Sequence, residues 1–408
     1  MKPNWKRNIA LFLGSQTISL FGSSLVQYAI MWYITLQTES GFMMTLAIIA
    51  GFLPTFFLSP FAGVWADRHN RKILIASADA LVATATLVLA LLFMAGYRSV
   101  WLLFAGSAVR AVGTGIQTPA VGAIIPNIVP EENLTRINGV NSSIQAVVTL
   151  VSPMISAALY STFPIETIFF IDVVTAAIGI LTLLLLVQVP VHAKALQAQT
   201  EGYFSDMRQG LTYIRKHAYL KAYFAFCALF FVLIAPAAFL PPLQVTRTFG
   251  DEVWRLSAVE MAFAIGMILG GGLMAWWGGF PNRIHTMTLS CILTGLTIVA
   301  LGIVPFFWLY LLFVGLNGIT LPMFNTPATV LLQEKVEPDY LGRVFGAMSM
   351  ISSSMMPLGM LIFGPVADMI PIEWMLVGTG LALFVQSFFL MGTRALVEAG
   401  KPLMGQGS

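Results

Sequence analysis

The sequence of 408 residues is poor in charge, in cysteine and in histidine. Charged residues make up 10% of it, whereas a soluble domain has about 25%, so most of the surface must face something other than water. The two cysteines lie within apolar stretches and indicate no disulfide framework. The four histidines lie in or beside polar segments, and we find no zinc-protease, nucleophile-elbow or P-loop motif. The sequence therefore does not indicate an enzyme, an ATP-driven pump, a metal site or a cofactor.

The chain consists largely of long apolar stretches without charged residues. Hydrophobic residues make up 58% of the chain, and residues 8–38 and 40–66 contain no charge. Such runs suit transmembrane helices, which need about 20 apolar residues, and exceed the roughly 10 residues of a barrel strand. We predict an all-α integral membrane protein with 12 transmembrane helices, at about 9–36, 42–65, 73–95, 100–125, 137–161, 166–188, 219–243, 256–278, 285–304, 307–333, 344–367 and 372–392.

The basic residues predict the orientation of these helices. An even number of spans puts both termini on one side; with the termini cytoplasmic, 17 of the 21 Lys and Arg residues fall in inner segments and three in outer ones. The net charge of +3 requires no nucleic-acid partner, because basic loops that face anionic lipid account for it. We expect a multi-pass protein of the lipid bilayer, acting as a monomer, with both termini cytoplasmic.

A duplication divides the chain in two. The segment 116–120 recurs as 324–328, with Thr-Pro-Ala in both copies, 208 residues later. The similarity continues through the following loop. We predict two six-helix halves in parallel repeat, residues 1–188 and 219–408, joined by a polar cytoplasmic linker at 189–218. Two parallel halves that meet near the middle of the membrane are what a rocking transporter needs.

A cluster of charges follows the second span, with four charged residues among the six from Asp67 to Lys72. Starting at Gly63, the pattern Gly-x-x-x-Asp-Arg-x-x-Arg-Lys resembles the signature loop between helices 2 and 3 of major facilitator transporters. We expect this loop to gate the cytoplasmic side: Gly63 permits close helix approach, and Asp67 faces the positive end of a helix in the other half. Arg68 and Arg71 are its expected ion-pair partners. The alternative is a basic anchor that only fixes topology.

Further short segments, in order along the chain, extend this resemblance. They are 4–7, 51–54, 67–72, 110–115, 118–120, 129–132, 263–267 and 340–345. Together they resemble the macrolide efflux (Mef) branch of the drug:proton antiporters in the major facilitator superfamily. The resemblance implies a secondary active exporter that carries macrolides or other hydrophobic drugs out across the bacterial cytoplasmic (inner) membrane in exchange for protons. An exporter of another bulky amphiphile, such as a siderophore or lipid, is the alternative.

Five charged residues within or at the ends of the spans are candidates for proton coupling. Arg110 lies deep in span 4, where its insertion costs about 2.5–3.5 kcal/mol, so it should face a cavity or an acid. The resemblance associates an Arg at this place with proton coupling; an Arg bonded to backbone carbonyls is the alternative. Glu260 is the first choice among the acids because apolar side chains surround it, and Asp79, Asp172 and Asp368 are the others. Asp172 and Asp368 could instead be interfacial residues or helix caps, and Asp79 could brace the cytoplasmic end.

A cavity for large and varied drugs should combine apolar and aromatic walls with few polar anchors. Candidates on the spans expected to form it, 1, 4, 7 and 10, are Gln27, Trp32, Gln117, Phe230, Asn317 and Phe324. The 21 methionines suit an adaptable surface. Packing between helices or against lipid is the alternative for each of these side chains.

Overall fold

The structure is a computed structural model that describes residues 4–68, 70–130, 133–188 and 212–401. Within these ranges the side chains at positions 59, 60, 63, 64, 66–68, 135, 338, 339 and 342 are outside the description. Most of the predicted linker, 189–218, also lies outside the described residues.

The described chain is helical nearly throughout. In order, the helices are α1 (Trp5–Thr38), α2 (Gly41–Arg68), α3 (Arg71–Met94), α4 (Val100–Ile128), α5 (Leu134–Thr162), α6 (Ile165–Leu186), α7 (Ala218–Phe239), α8 (Pro241–Thr248), α9 (Val253–Trp277), α10 (Arg283–Ile303), α11 (Phe307–Lys335), α12 (Pro338–Val366), α13 (Ile372–Gly392) and α14 (Arg394–Ala399).

The predicted all-α membrane fold is confirmed. Among the described residues, 11 helical segments are long and apolar enough to cross a membrane. The predicted span at 100–125 is the helix α4 but is not one of the 11, since Arg110 and Gln117 interrupt its apolar sequence. The predicted span at 219–243 is two helices, α7 and α8, because Pro241 has no N–H with which to continue the first.

Contacts divide the chain into two compact units. One comprises residues 1–38 and 46–198, and the other comprises residues 39–45 and 199–408. The start of α2 therefore belongs to the second unit and the rest of that helix to the first. The predicted halves, 1–188 and 219–408, stay a prediction, since they were defined by the sequence duplication.

Side chains from four helices form the core of the first unit. Phe12 on α1, Ile75 on α3, Ile124 on α4 and Leu183 on α6 are each fully buried in one apolar cluster. In addition, α1 packs against α6 so closely that a Cβ on Gly179 would lie 2.9 Å from the Ser15 carbonyl oxygen. These contacts fix α1, α3, α4 and α6 side by side.

Glycines set the helix contacts of the second unit. Helix α10 packs against α13 through Gly295 and Gly380, where a Cβ on either residue would lie 2.8 Å from the carbonyl oxygen of the other. Helix α9 packs against α11 at Gly266 and Gly318, where a Cβ on either residue would lie 3.1–3.2 Å from the Cα atom of the other. Small residues bring helix backbones close together, as is usual in membrane bundles.

Candidate functional site

A buried ion pair lies in the middle of the first unit. The Arg110 Nη1 atom on α4 is 2.6 Å from Asp172 Oδ2 on α6, and the side chains are 10% and 0% exposed. Thr86 on α3 donates a hydrogen bond of 2.9 Å to Asp172 Oδ2, and Ser23 on α1 donates one of 3.1 Å to Oδ1. We call Ser23, Thr86, Arg110 and Asp172 the ion-pair layer.

This layer satisfies both of its charges. The Arg110 Nη2 atom donates to the Ser23 carbonyl oxygen at 3.1 Å, and Nη1 also contacts the Thr86 hydroxyl. A buried ion pair is stable only when further hydrogen bonds complete it, and removal of one partner leaves an uncompensated charge. Arg110 therefore faces an acid. Asp172 lies in the interior of the unit, so it is neither an interfacial residue nor a helix cap.

A second polar group lies on the same helices. The Gln117 Nε2 atom on α4 donates to Asp79 Oδ1 on α3 at 2.6 Å and to Gln16 Oε1 on α1 at 3.3 Å. Asp79 is 4% exposed and Gln16 is 9% exposed. In the described part of the chain, Asp79 Oδ2 and Gln16 Nε2 are buried without a hydrogen-bond partner. We call Gln16, Asp79 and Gln117 the amide layer.

The two layers share a spacing of seven residues. Helix α1 supplies Gln16 and Ser23, α3 supplies Asp79 and Thr86, and α4 supplies Arg110 and Gln117. Seven residues are about two helical turns and rise about 10.5 Å, so each helix presents the same face to both layers. The repeated spacing of polar residues is a sequence signal that the analysis of single residues missed, and it could have found Gln16, Ser23 and Thr86.

The predicted gating motif is described in part. The side chains of Gly63, Asp67 and Arg68 lie outside the described residues. Arg71 donates to the Ala123 carbonyl oxygen of α4 at 2.7 Å. Lys72 donates at 2.8 Å to the carbonyl oxygens of both Leu184 and Val187, at the end of α6.

Through these contacts, Arg71 and Lys72 stabilise helix packing within the first unit. A lysine ammonium at a helix C-terminus satisfies free carbonyl groups and interacts favourably with the helix dipole. Asn70 precedes them and accepts a hydrogen bond of 3.0 Å from the Lys72 N–H, which caps the start of α3. Asn282 does the same at the start of α10, in the second unit.

The second unit contains the remaining proton-coupling candidates. Glu260 on α9 is half-buried, and the described residues provide its carboxylate with no hydrogen bond or ion pair. Asp368, after the end of α12, accepts hydrogen bonds from the Gly41 N–H at 2.7 Å and the Phe42 N–H at 3.0 Å. Ser40 Oγ donates to it at 2.7 Å, and Arg247 Nη2 lies 2.9 Å from its Oδ1 atom.

Asp368 therefore caps the start of α2. Burial alone would raise its pKa, but hydrogen bonds from Phe42, Ser40, Gly41 and Arg247 outweigh that effect and lower the pKa below its ordinary value. The carboxylate consequently stays ionised at neutral pH. We call this set of contacts the α2 clamp.

The predicted cavity residues occupy different environments. Trp32, Phe230 and Phe324 are 0%, 3% and 2% exposed. The rings of Phe230 on α7 and Phe324 on α11 stack with centroids 5.0 Å apart, and Phe226, which the sequence analysis did not single out, stacks on both. Gln27 is exposed on α1, and Gln117 belongs to the amide layer.

Asn317 takes part in a neutral cluster between α10 and α11. Its Nδ2 atom donates to Thr297 Oγ1 at 2.9 Å. One turn away, Thr294 donates to Thr320 Oγ1 at 2.8 Å, and Ser290 donates to the Thr320 carbonyl oxygen at 2.6 Å. We call these five residues the hydroxyl cluster. None of their buried side-chain atoms in this part of the chain lacks a partner.

Comparisons with known proteins agree with this architecture. Residues 12–360 match the Major Facilitator Superfamily. Macrolide efflux protein A of Streptococcus pyogenes is 32% identical to the chain over 385 residues, which cover 94% of the chain and 95% of that protein. Macrolide efflux protein A of Enterococcus faecalis is 33% identical over 314 residues, 76% of the chain and 97% of that protein.

A solved structure shows the same fold. The nucleoside transporter NupG superposes on 95% of this chain and 99% of its own with a TM-score of 0.73, at 15% sequence identity. The chain belongs to the Major Facilitator Superfamily, in the family that contains the macrolide efflux proteins. It is a multi-pass membrane transporter and not an enzyme.

Proposed function

We propose that this chain exports macrolides or other hydrophobic drugs from the bacterial cytoplasm by alternating access, in exchange for protons. It acts as a monomer in the cytoplasmic (inner) membrane, with both termini on the cytoplasmic side. The observation that carries the proposal is the buried Arg110–Asp172 ion pair within a fold whose relatives of more than 30% identity are macrolide efflux proteins. Charged residues inside membrane helices are costly and are usually kept for function.

Proton exchange needs acids that can lose and regain a charge inside the membrane. Asp79 and Glu260 lie on membrane helices and have no cationic partner in the described residues, and we propose that the proton carrier is one of these two acids. Asp172 is held by Arg110 and would respond to proton binding through that pair. Asp368 is not part of this proposal, because the α2 clamp keeps its carboxylate ionised.

For the cytoplasmic gate, the proposal rests on Asp67. We assign to Asp67, the acid of the motif, a contact made only in one state, because Arg71 and Lys72 bond to backbone carbonyls of their own unit. We expect Asp67→Asn to cut transport about tenfold or more while membrane insertion stays intact, as judged by the amount of folded protein in membranes. Normal efflux in that variant would remove the gating role.

Drug binding is proposed for the aromatic residues of the second unit. Phe226, Phe230 and Phe324 form a stack that a planar or apolar ligand could intercalate after a rearrangement of α7 against α11. Polar anchors would be few, as in other sites for apolar ligands. The Phe230→Ala variant should change the order in which different drugs are exported more than it changes the amount of folded protein.

Drug resistance in bacteria tests the proposed function directly. Cells that express the chain should resist erythromycin and accumulate less labelled drug, and a protonophore should abolish both effects. An inactive Arg110→Ala, Asp172→Asn double variant at equal membrane abundance is the control. Resistance to no macrolide, together with export of a siderophore or lipid, would favour the alternative substrate class.

A further inference from the structure

We propose that the amide layer is the binding site for the coupling cation, which is either a proton or Na⁺. The proposal rests on the proposed export function, names the site at which the driving ion is taken up, and adds Na⁺ to the proton as a second ion that fits this site. It differs from the ion-pair layer, whose charges already satisfy each other.

Two buried groups of the amide layer have unmet hydrogen-bonding capacity. Asp79 Oδ2 and Gln16 Nε2 have no hydrogen-bond partner of good geometry in the described part of the chain, although both side chains are more than nine-tenths buried. The Ser19 hydroxyl of α1 lies near the Asp79 carboxylate and is a further polar group at this site. Buried polar atoms without a partner are rare, and each one calls for an explanation. Here both unpaired atoms belong to side chains that one amide group, that of Gln117, holds together.

In the described part of the chain, the charged residues of the neighbouring helices do not compensate the charge of Asp79. Helices α4 and α6 pack against α3, and α1 packs against α4 and α6; the charged residues of these helices are engaged or distant. Arg110 is paired with Asp172 in the ion-pair layer, and Arg98 is paired at 2.8 Å with Glu166 near the start of α6.

The charged residues nearer the helix starts also leave Asp79 without a counter-ion. Arg71 and Lys72, on α3, donate to backbone carbonyls, and Lys6 and Arg7 lie in the first turn of α1. A buried carboxylate is stable only with a compensating positive charge or as the neutral acid. Asp79 therefore requires a cation that comes from outside the protein.

The side chains of the amide layer suit a small monovalent cation. A proton on Oδ2 would make Asp79 neutral and turn the unpaired acceptor into a donor. Na⁺ would instead be ligated by the carboxylate and by the carbonyl oxygens of the two glutamines, whose amide orientation can be reversed. Both occupants are small and monovalent, and both compensate the same charge.

Binding at this site would also reach the ion pair. Asp79 and Thr86 lie about two turns apart on α3, as do Gln117 and Arg110 on α4. A change of charge at Asp79 alters the electrostatic environment of Asp172 at a distance where low-dielectric interactions persist. Gln16 and Gln117 are thus positioning residues that hold Asp79 and link it to α4.

Transport in liposomes tests the proposal with two measurements on the same vesicles. Exchange of labelled for unlabelled erythromycin needs no gradient, whereas accumulation of the drug needs a pH gradient in Na⁺-free buffer or a Na⁺ gradient at equal pH. We expect Asp79→Asn to keep exchange within about twofold of wild type and to lose accumulation at least about tenfold. Glu252→Gln, at an exposed acid next to Arg255, should leave both measurements unchanged.

The wild-type gradient that supports accumulation identifies the cation. Equal accumulation by Asp79→Asn and wild type would overturn the site while the exporter function stands. No exchange and no accumulation by wild type would instead overturn the proposed function.

Cation binding can also be measured without drug transport, from its effect on the Tm of the purified protein. The Tm of the purified wild-type protein should rise with the concentration of the cation that binds, by linkage of binding to stability. This rise should be absent in Asp79→Asn. In Gln16→Leu the same rise in Tm should require a cation concentration about tenfold higher, because the loss of a positioning residue weakens cation binding. A rise that is the same in all three proteins would contradict the site.

Discussion

The two units differ most at positions that the sequence duplication makes equivalent. The offset of 208 residues equates Arg110 with Gly318. At Arg110 the first unit contains an ion pair, whereas at Gly318 helix α11 lies against α9 so closely that an added Cβ would clash with the Phe263 carbonyl oxygen and lie 3.2 Å from Gly266 Cα. At this pair of equivalent positions, the fold contains a buried ion pair in one unit and a close helix contact in the other.

The amide layer of the first unit and the hydroxyl cluster of the second unit also differ in charge. The amide layer contains an acid and two unpaired buried atoms, whereas the hydroxyl cluster is neutral and has no buried side-chain atom without a partner. The second unit also contains the stack of Phe226, Phe230 and Phe324. Under the proposed function, this contrast assigns ion coupling to the first unit and drug contact to the second.

Removal of one charge from the ion-pair layer should have the largest effect. We expect Asp172→Asn to abolish export and to lower the free energy of unfolding by about 3–5 kcal/mol, because it leaves Arg110 buried without a counter-charge. Thermal unfolding of the purified protein and erythromycin accumulation in cells measure the two effects.

Replacement of both charged residues of the ion pair by leucine separates its effect on stability from its effect on export. Arg110→Leu combined with Asp172→Leu should recover most of the stability and none of the export. Glu166→Gln, which breaks the ion pair with the exposed Arg98, is the matched control and should leave export close to normal. Normal export in the neutral double variant would contradict a role for the ion pair in coupling.

The equivalent position in the second unit should respond as a packing site. Gly318→Ala should cost about 1–3 kcal/mol, because the methyl group has no space between α11 and α9. Gly315→Ala on the same helix is the control, since its Cβ would make an ordinary contact of 3.4 Å with the Ala262 carbonyl oxygen. Export per folded molecule should stay normal in both variants. A loss of export in Gly318→Ala alone would contradict a purely structural role for this position of the second unit.

The hydroxyl cluster should contribute stability alone. Thr294→Val keeps the shape of the side chain but removes its hydrogen bond to Thr320, so we expect a loss of about 1 kcal/mol and unchanged proton dependence of export. Thr84→Val on α3, an exposed residue that bonds only to the Ala80 carbonyl oxygen of its own helix, should show a smaller loss. A changed pH profile in Thr294→Val would place coupling in the second unit as well.

The α2 clamp should give the smallest effect. Asp368→Asn should lower stability by about 0.5–1 kcal/mol, as expected for the loss of a helix cap. Because the folded state lowers the pKa of Asp368, the clamp stabilises the protein above the ordinary Asp pKa of about 3.9 and loses that effect as the pH falls below it. The stability difference between wild type and Asp368→Asn should therefore stay constant between pH 8 and pH 5; a difference that disappears near pH 6 would contradict this.

The sequence predicts the helices well because run length and charge decide them locally. The spans at 73–95 and 285–304 match α3 and α10 within about two residues at each end, since Asn70 and Asn282 cap their starts. The break at Pro241 was missed because the surrounding sequence stays apolar, although proline itself gave the signal.

Side-chain partners on different helices could not be predicted from the sequence. Arg110 and Asp172 are 62 residues apart, and only the packing of α4 and α6 against α3 brings them together. Asp368 and Gly41 are 327 residues apart. By contrast, the spacing of seven residues between Gln16 and Ser23 is visible in the sequence and indicates one polar helix face.

The assignment of coupling to the first unit is tested most directly by comparing two acids in one assay. The measurement is the ratio of gradient-driven erythromycin accumulation to erythromycin exchange in liposomes that contain wild type, Asp79→Asn or Glu260→Gln. We predict a ratio that falls at least about tenfold in Asp79→Asn and stays near wild type in Glu260→Gln. A normal ratio in Asp79→Asn together with a collapsed ratio in Glu260→Gln would contradict the account and place the coupling acid in the second unit.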